Sequence, residues 1–123
     1  RDLPSFPTRR SSDLLAPELA ARLRPPPFPL TDFAATAALI AALDAVVTVD
    51  TSIAHLTGAL GIPGRVLLPY APDWRWLIDR ADCPWRPSLR LIRQQRPGDW
   101  AGVIRQTSAL LAGAARDRVN PSP

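Results

Sequence analysis

The chain has 123 residues, enough for one small domain or a section of a larger one. Its formal charge of +4 rests on 15 basic residues, all arginine, scattered among abundant alanine and proline. That pattern fits a GC-rich coding bias and argues against a nucleic-acid-binding surface, which gathers its cations on one face. The lone cysteine, Cys83, excludes a disulfide framework and a cysteine metal site, and no apolar run approaches the ~20 residues of a membrane span.

The first stretch reads as foreign to the rest. Ser5-Phe6-Pro7-Thr8-Arg9-Arg10-Ser11-Ser12-Asp13-Leu14 resembles the translation of a common sequencing-library adapter. Residues 1–14 are therefore expected to be non-native and to pack nowhere, with native sequence entering at about Leu15, partway through a gene. Residues 15–31 read as a linker: a short helix from Pro17 to Leu23, then Arg24-Pro25-Pro26-Pro27-Phe28-Pro29, where proline restrains both itself and its predecessor to extended backbone.

Thr31 or Asp32 then caps a helix running to Leu43, with Phe33, Ala37, Ile40 and Leu43 on one stripe, the spacing of a helix lying on a sheet. Ala45 to Val49 is a β-branched run too apolar to alternate, which predicts a parallel strand covered on both faces. It feeds at once into a helix. Asp50, Thr51 and Ser52 are capping residue types, Leu56, Ala59 and Leu60 supply an apolar face, and Gly61 with Pro63 ends the helix. Arg65 to Leu68 reads as a second buried strand, so the unit is βαβ with parallel strands.

Pro69 to Ser88 has four prolines, no clear period, and Trp74, Trp76 and Trp85 set among arginines. A segment that long is commonly functional or mobile, and its tryptophans either wall a site or pack the loop onto the body. Leu89 to Arg93 alternates like a strand near an edge. Asp99 then caps a closing helix bearing Trp100, Val103, Ile104, Thr107, Leu110 and Leu111 on one face; Gly113 is expected to end it, leaving 114–123 as a loose tail.

A strand passing directly into a helix leaves free backbone N–H groups and a positive dipole end at the carboxyl edge of the sheet, a position suited to anions. His55 stands one turn into that helix, where a side chain leaning back can reach whatever those amides hold. Singly, Asp50, Thr51, Ser52 and His55 denote a capped helix and an ordinary histidine. Together at a strand end they form a candidate site.

The block Asp50-Thr51-Ser52-Ile53-Ala54-His55-Leu56, followed by Gly58-Ala59-Leu60-Gly61 and Pro63, resembles the Asp-Thr-Gly-x-x-His-Leu, Ala-Leu-Gly-x-Pro block of the family 9 glycosyltransferases, the heptosyltransferase-like enzymes. From Asp32 to roughly Leu111 the chain is more closely similar to the glycosyltransferase-like C-terminal region of bacterial tetratricopeptide-repeat proteins, through Pro72-Asp73-Trp74-Arg75-Trp76-Leu77 and Arg96-Pro97-Gly98-Asp99-Trp100. The resemblance implies an α/β fold: a partial Rossmann-like parallel sheet over 32–113, part of the C-terminal, donor-binding domain of a GT-B glycosyltransferase. It implies a nucleotide-sugar donor as partner, no cofactor or metal, a cytoplasmic location, and an upstream domain of the same protein that carries the catalytic base.

Donor diphosphate contacts then fall on Asp50, Thr51, Ser52 and His55, with Asp50 capping the turn or orienting its neighbours, because a carboxylate repels phosphate. Tyr70, Trp74, Arg75 and Trp76 wall the site. Ser52 departs from the family block, which has glycine there. No catalytic base is identifiable; Asp73, Asp79 and Asp82 read as solvated loop charges, so this chain alone is expected to be inactive. The alternative is a non-catalytic, glycosyltransferase-like interaction module of a tetratricopeptide-repeat protein.

Overall fold

The structure, a computed structural model, describes residues 16–119, with side chains described to residue 114. The expectation for residues 1–14 lies outside the described residues. The chain divides between Leu30 and Thr31 into two units. In the first, α1 (Pro17–Ala20) is shorter than the sequence suggests and has no buried residue.

The second unit carries the sheet. Its elements are α2 (Phe33–Ala41), β1 (Val46–Val49), α3 (Ser52–Ala59), β2 (Gly64–Leu68), a 3₁₀ turn (Trp74–Trp76), β3 (Leu89–Arg93) and α4 (Trp100–Val119). The strands lie in the order β1-β2-β3 and both pairs are parallel, Val46 beside Gly64 and Gly64 beside Leu89. This is the α/β, partial Rossmann-like sheet expected.

Period-two alternation sorts the side chains onto two faces. Val66, Leu68, Leu89 and Leu91 pack with Ala54, Trp76 and Cys83 on the α3 side. Leu67 and Ile92 pack with Val103 of α4 on the other. Asp32 caps α2, its carboxylate accepting from the Ala35 N–H at 2.7 Å, and Asp99 caps α4 through the Gly102 N–H at 2.8 Å.

Four expectations are corrected. β1 is an edge strand, and α4 packs on β3, so Val47 and Val49 remain nearly half exposed. α2 buries only Ile40 and packs beside α3, leaving Phe33 and Leu43 exposed. The buried residues of α3 are Ala54 and Thr57, while Ala59 and Leu60 face solvent, because small side chains let the helix approach the sheet closely. Finally, α4 continues through Gly113 to Val119: a glycine inside a helix costs only about 1 kcal/mol relative to alanine, too little to end one.

Two glycines test this packing. A Cβ on Gly64 would sit 2.5 Å from Leu89 Cδ2 and 3.1 Å from Thr57 Cγ2, whereas one on Gly113 would meet nothing within 4 Å. Chemical denaturation should find Gly64→Ala destabilised by about 1–3 kcal/mol and Gly113→Ala stabilised by up to about 1 kcal/mol.

Candidate functional site

The turn from β1 into α3 stands at the carboxyl edge of the sheet. Thr51 occupies the N-cap position with extended backbone, but its side chain makes no cap hydrogen bond. Its hydroxyl lies 3.2 Å from the Thr48 hydroxyl and 3.5 Å from the Val49 carbonyl. Asp50 makes no cap either. The expected capping of this turn by side chains is therefore corrected: Thr48 and the strand-end carbonyl draw the Thr51 hydroxyl away from the amides. Among the described residues nothing accepts from the N–H groups of Ser52 and Ile53, and the Ala54 N–H closes back on the Thr51 carbonyl at 3.0 Å. Two donors and a helix dipole remain directed at the edge.

His55 is one turn in and about one-third exposed. Its Nε2 is 3.9 Å from Asp50 Oδ1, too far for a hydrogen bond yet close enough for the carboxylate to act on the ring through space. Its opposite support is Trp76: the rings stack with centroids 5.2 Å apart and planes 12° from parallel. The imidazole is thus fixed in plane with an edge open to solvent.

The loop residues separate by role. Trp76 is 1% exposed and belongs to the core, whereas Trp74 is 77% exposed, with the Arg75 guanidinium 5.5 Å above its ring. Arg75 also pairs with Asp73 at 3.0 Å, and Asp73 holds the 3₁₀ turn by accepting from the Arg75 N–H. Tyr70 and Trp74 line an open hollow with Asp79, Arg93 and Gln94. Neither Arg75 nor the residues 50–55 line it. The Arg80 guanidinium grips Asp82 through two hydrogen bonds, which holds the Asp82 carboxyl below the usual aspartate range; both groups face solvent, so the pair adds little stability.

The turn thus brings Thr51, Ser52 and His55 together, with Asp50 beside them and Trp76 beneath His55. Such a set can donate hydrogen bonds to an oxyanion from hydroxyls, backbone amides and an imidazole N–H. The family model for glycosyltransferase family 9 (heptosyltransferase) matches residues 16–96. The chain belongs to that family. The match takes in the β1–α3 turn and reaches back over the segment 16–31 that reads as a linker. No curated protein and no solved structure matches the chain. Among the described residues, no helix of this family 9 chain is long and apolar enough to cross a membrane.

Sequence reasoning missed Gln94 and Arg93. Gln94 is 4% exposed, and its Oε1 accepts from the N–H groups of Tyr70 at 3.2 Å and Gly98 at 3.1 Å. The available signal was an amide side chain directly after an apolar strand, where a polar group must bind backbone to be buried.

The two loop tryptophans should behave oppositely. Trp76→Ala should cost about 3–5 kcal/mol, and Trp74→Ala no more than about 0.5 kcal/mol, as read by chemical denaturation. Equal costs would mean that both rings pack the loop.

Proposed function

We propose that the β1–α3 turn binds the diphosphate of a nucleotide-sugar donor, and that the parent protein is a GT-B glycosyltransferase acting in the cytoplasm. The observation that carries this reading is the pair of unpartnered amides at Ser52 and Ile53 beside the one-third-exposed, ring-stacked His55. Ser52 supplies a hydroxyl donor, Thr51 one that must turn from Thr48 and the Val49 carbonyl, and His55 an imidazole N–H. The helix dipole favours the phosphate charge. Asp50 stays off the phosphate and acts on His55. The Ser52 side chain, where the family block has glycine, narrows the space beside the phosphate. Tyr70 and Trp74 stand on the neighbouring hollow, while Arg75 acts through its place over Trp74 and Trp76 through its stack on His55.

Activation of the acceptor hydroxyl is assigned to an upstream domain, since no residue of the turn is a positioned base. Without one, a general-base contribution of about 10² to 10⁴ is missing. Sugar transfer by the 123-residue chain is therefore expected to be undetectable.

The test is calorimetric titration with ADP, GDP, UDP and dTDP, comparing the unsubstituted chain with His55→Phe. Phenylalanine keeps the stacked ring and removes the N–H donor. Affinity should fall about tenfold to hundredfold while the melting temperature holds. Binding by none of the four nucleotides would count against the donor site and favour a non-catalytic interaction module of a tetratricopeptide-repeat protein. Unchanged affinity with a lower melting temperature would make His55 a packing residue.

A further inference from the structure

Period-two alternation places Arg65 of β2 on the α4 side of the sheet, two residues before Leu67. Arg90 of β3 lies on the same side, two residues before Ile92, and the register sets the two arginines directly beside each other. Neighbouring strands stand about 4.8 Å apart, so two guanidinium stems rise from adjacent positions. Like charges placed this way repel and weaken a sheet. An opposite charge set between them removes that cost.

The carboxylate in the same row is committed elsewhere. Asp82 faces Arg90 across an isolated bridge, but the Arg80 guanidinium holds both its oxygens at 3.0 and 2.7 Å, so Arg90 acts on it only through space. Among the described residues neither Arg65 nor Arg90 has a side-chain hydrogen bond or an ion-pair partner. The half-buried Arg65 has its Nε–H sealed from solvent without an acceptor, while its terminal nitrogens are not enclosed. Arg90 is exposed on one flank of Arg65, and on the other Val47, in register with it, is 44% exposed. The two forks are therefore reachable from solvent.

The charge selects the ligand. A carboxylate neutralises one arginine of the pair, whereas a phosphoryl dianion neutralises both and offers paired oxygens that the planar guanidinium fork matches. We infer that Arg65 and Arg90 form a binding site for a phosphoryl dianion at the amino ends of β2 and β3, taken as inorganic phosphate or as the phosphate of a monoester. This end of the strands is opposite the β1–α3 turn, so the site does not rest on the function proposed above.

The experiment is an amide chemical-shift titration of the chain at constant ionic strength and about pH 8, where phosphate and its monoesters are dianions. Inorganic phosphate and methyl phosphate are the probes, with acetate as the monoanion control. At least one phosphate should give saturable shifts at residues 64–66 and 89–91, with acetate about tenfold weaker. Tighter binding of methyl phosphate assigns the site to monoesters, and tighter binding of inorganic phosphate to the free ion. Arg65→Gln and Arg90→Gln, the latter at an exposed position, should each weaken binding about tenfold to hundredfold. Absence of saturable shifts with both phosphates would overturn the inference. So would acetate binding equally well, or affinity unchanged in both variants. Shifts at Ser52 to His55 report the β1–α3 turn and are read separately, so the donor reading and this one fail independently.

Discussion

The burial of one indole governs this small sheet. Parallel strands need a crossover of a dozen or more residues, usually an α-helix lying on the sheet. Between β2 and β3 the crossover contains no α-helix, only the 3₁₀ turn, so a single side chain has to provide the cover that a helix face otherwise would. Trp76 does so, packing in the cluster of Ala54, Val66, Leu68, Cys83, Leu89 and Leu91. An aromatic of this size removes roughly 150–250 Å² from water, the largest contribution one residue can make here. The Asp82–Arg90 bridge and the Leu91 N–H on the Ala81 carbonyl at 2.8 Å then pin the far end of the crossover beside β3.

The candidate site hangs on the same anchor. One face of the Trp76 ring supports His55 and its carbonyl accepts from Arg93, so the β1–α3 turn and the aromatic hollow meet at a single backbone position. Trp74, two residues earlier in a turn of about three residues, is rotated off the core and lies open to solvent. The β1–α3 turn, within the stretch matched to glycosyltransferase family 9, lies at the carboxyl edge of the sheet, where open α/β folds generally take their ligands.

Much of this was legible in the residues. The strands β1, β2 and β3 follow from β-branched and apolar runs, and the βαβ unit from turn chemistry at Gly61, whose φ of 70° is the left-handed conformation that ends a helix. The strand-to-helix turn at Thr51 was legible because cap-type residues directly follow an apolar strand. What escaped was set by tertiary contact. The face that α3 buries depends on how near the sheet lies, which favours Ala54 and Thr57 over the larger Leu60. Which tryptophan enters the core depends on the handedness of a three-residue turn, and the role of Gln94 on partners that include Tyr70, far away in sequence. The end of α4 was misplaced because glycine weakens a helix without forbidding one.

The open edge of β1 also shapes how the isolated chain behaves in solution. Among the described residues its outer rim has no strand partner, and it is flanked by the exposed Val47 and Val49, with no lysine or proline within the strand. An uncharged, β-branched rim of this kind is a template for strand addition, and natural sheets normally blunt it with charge, bulges or a covering element. Edge-to-edge association at high concentration is the physical tendency that such a rim confers.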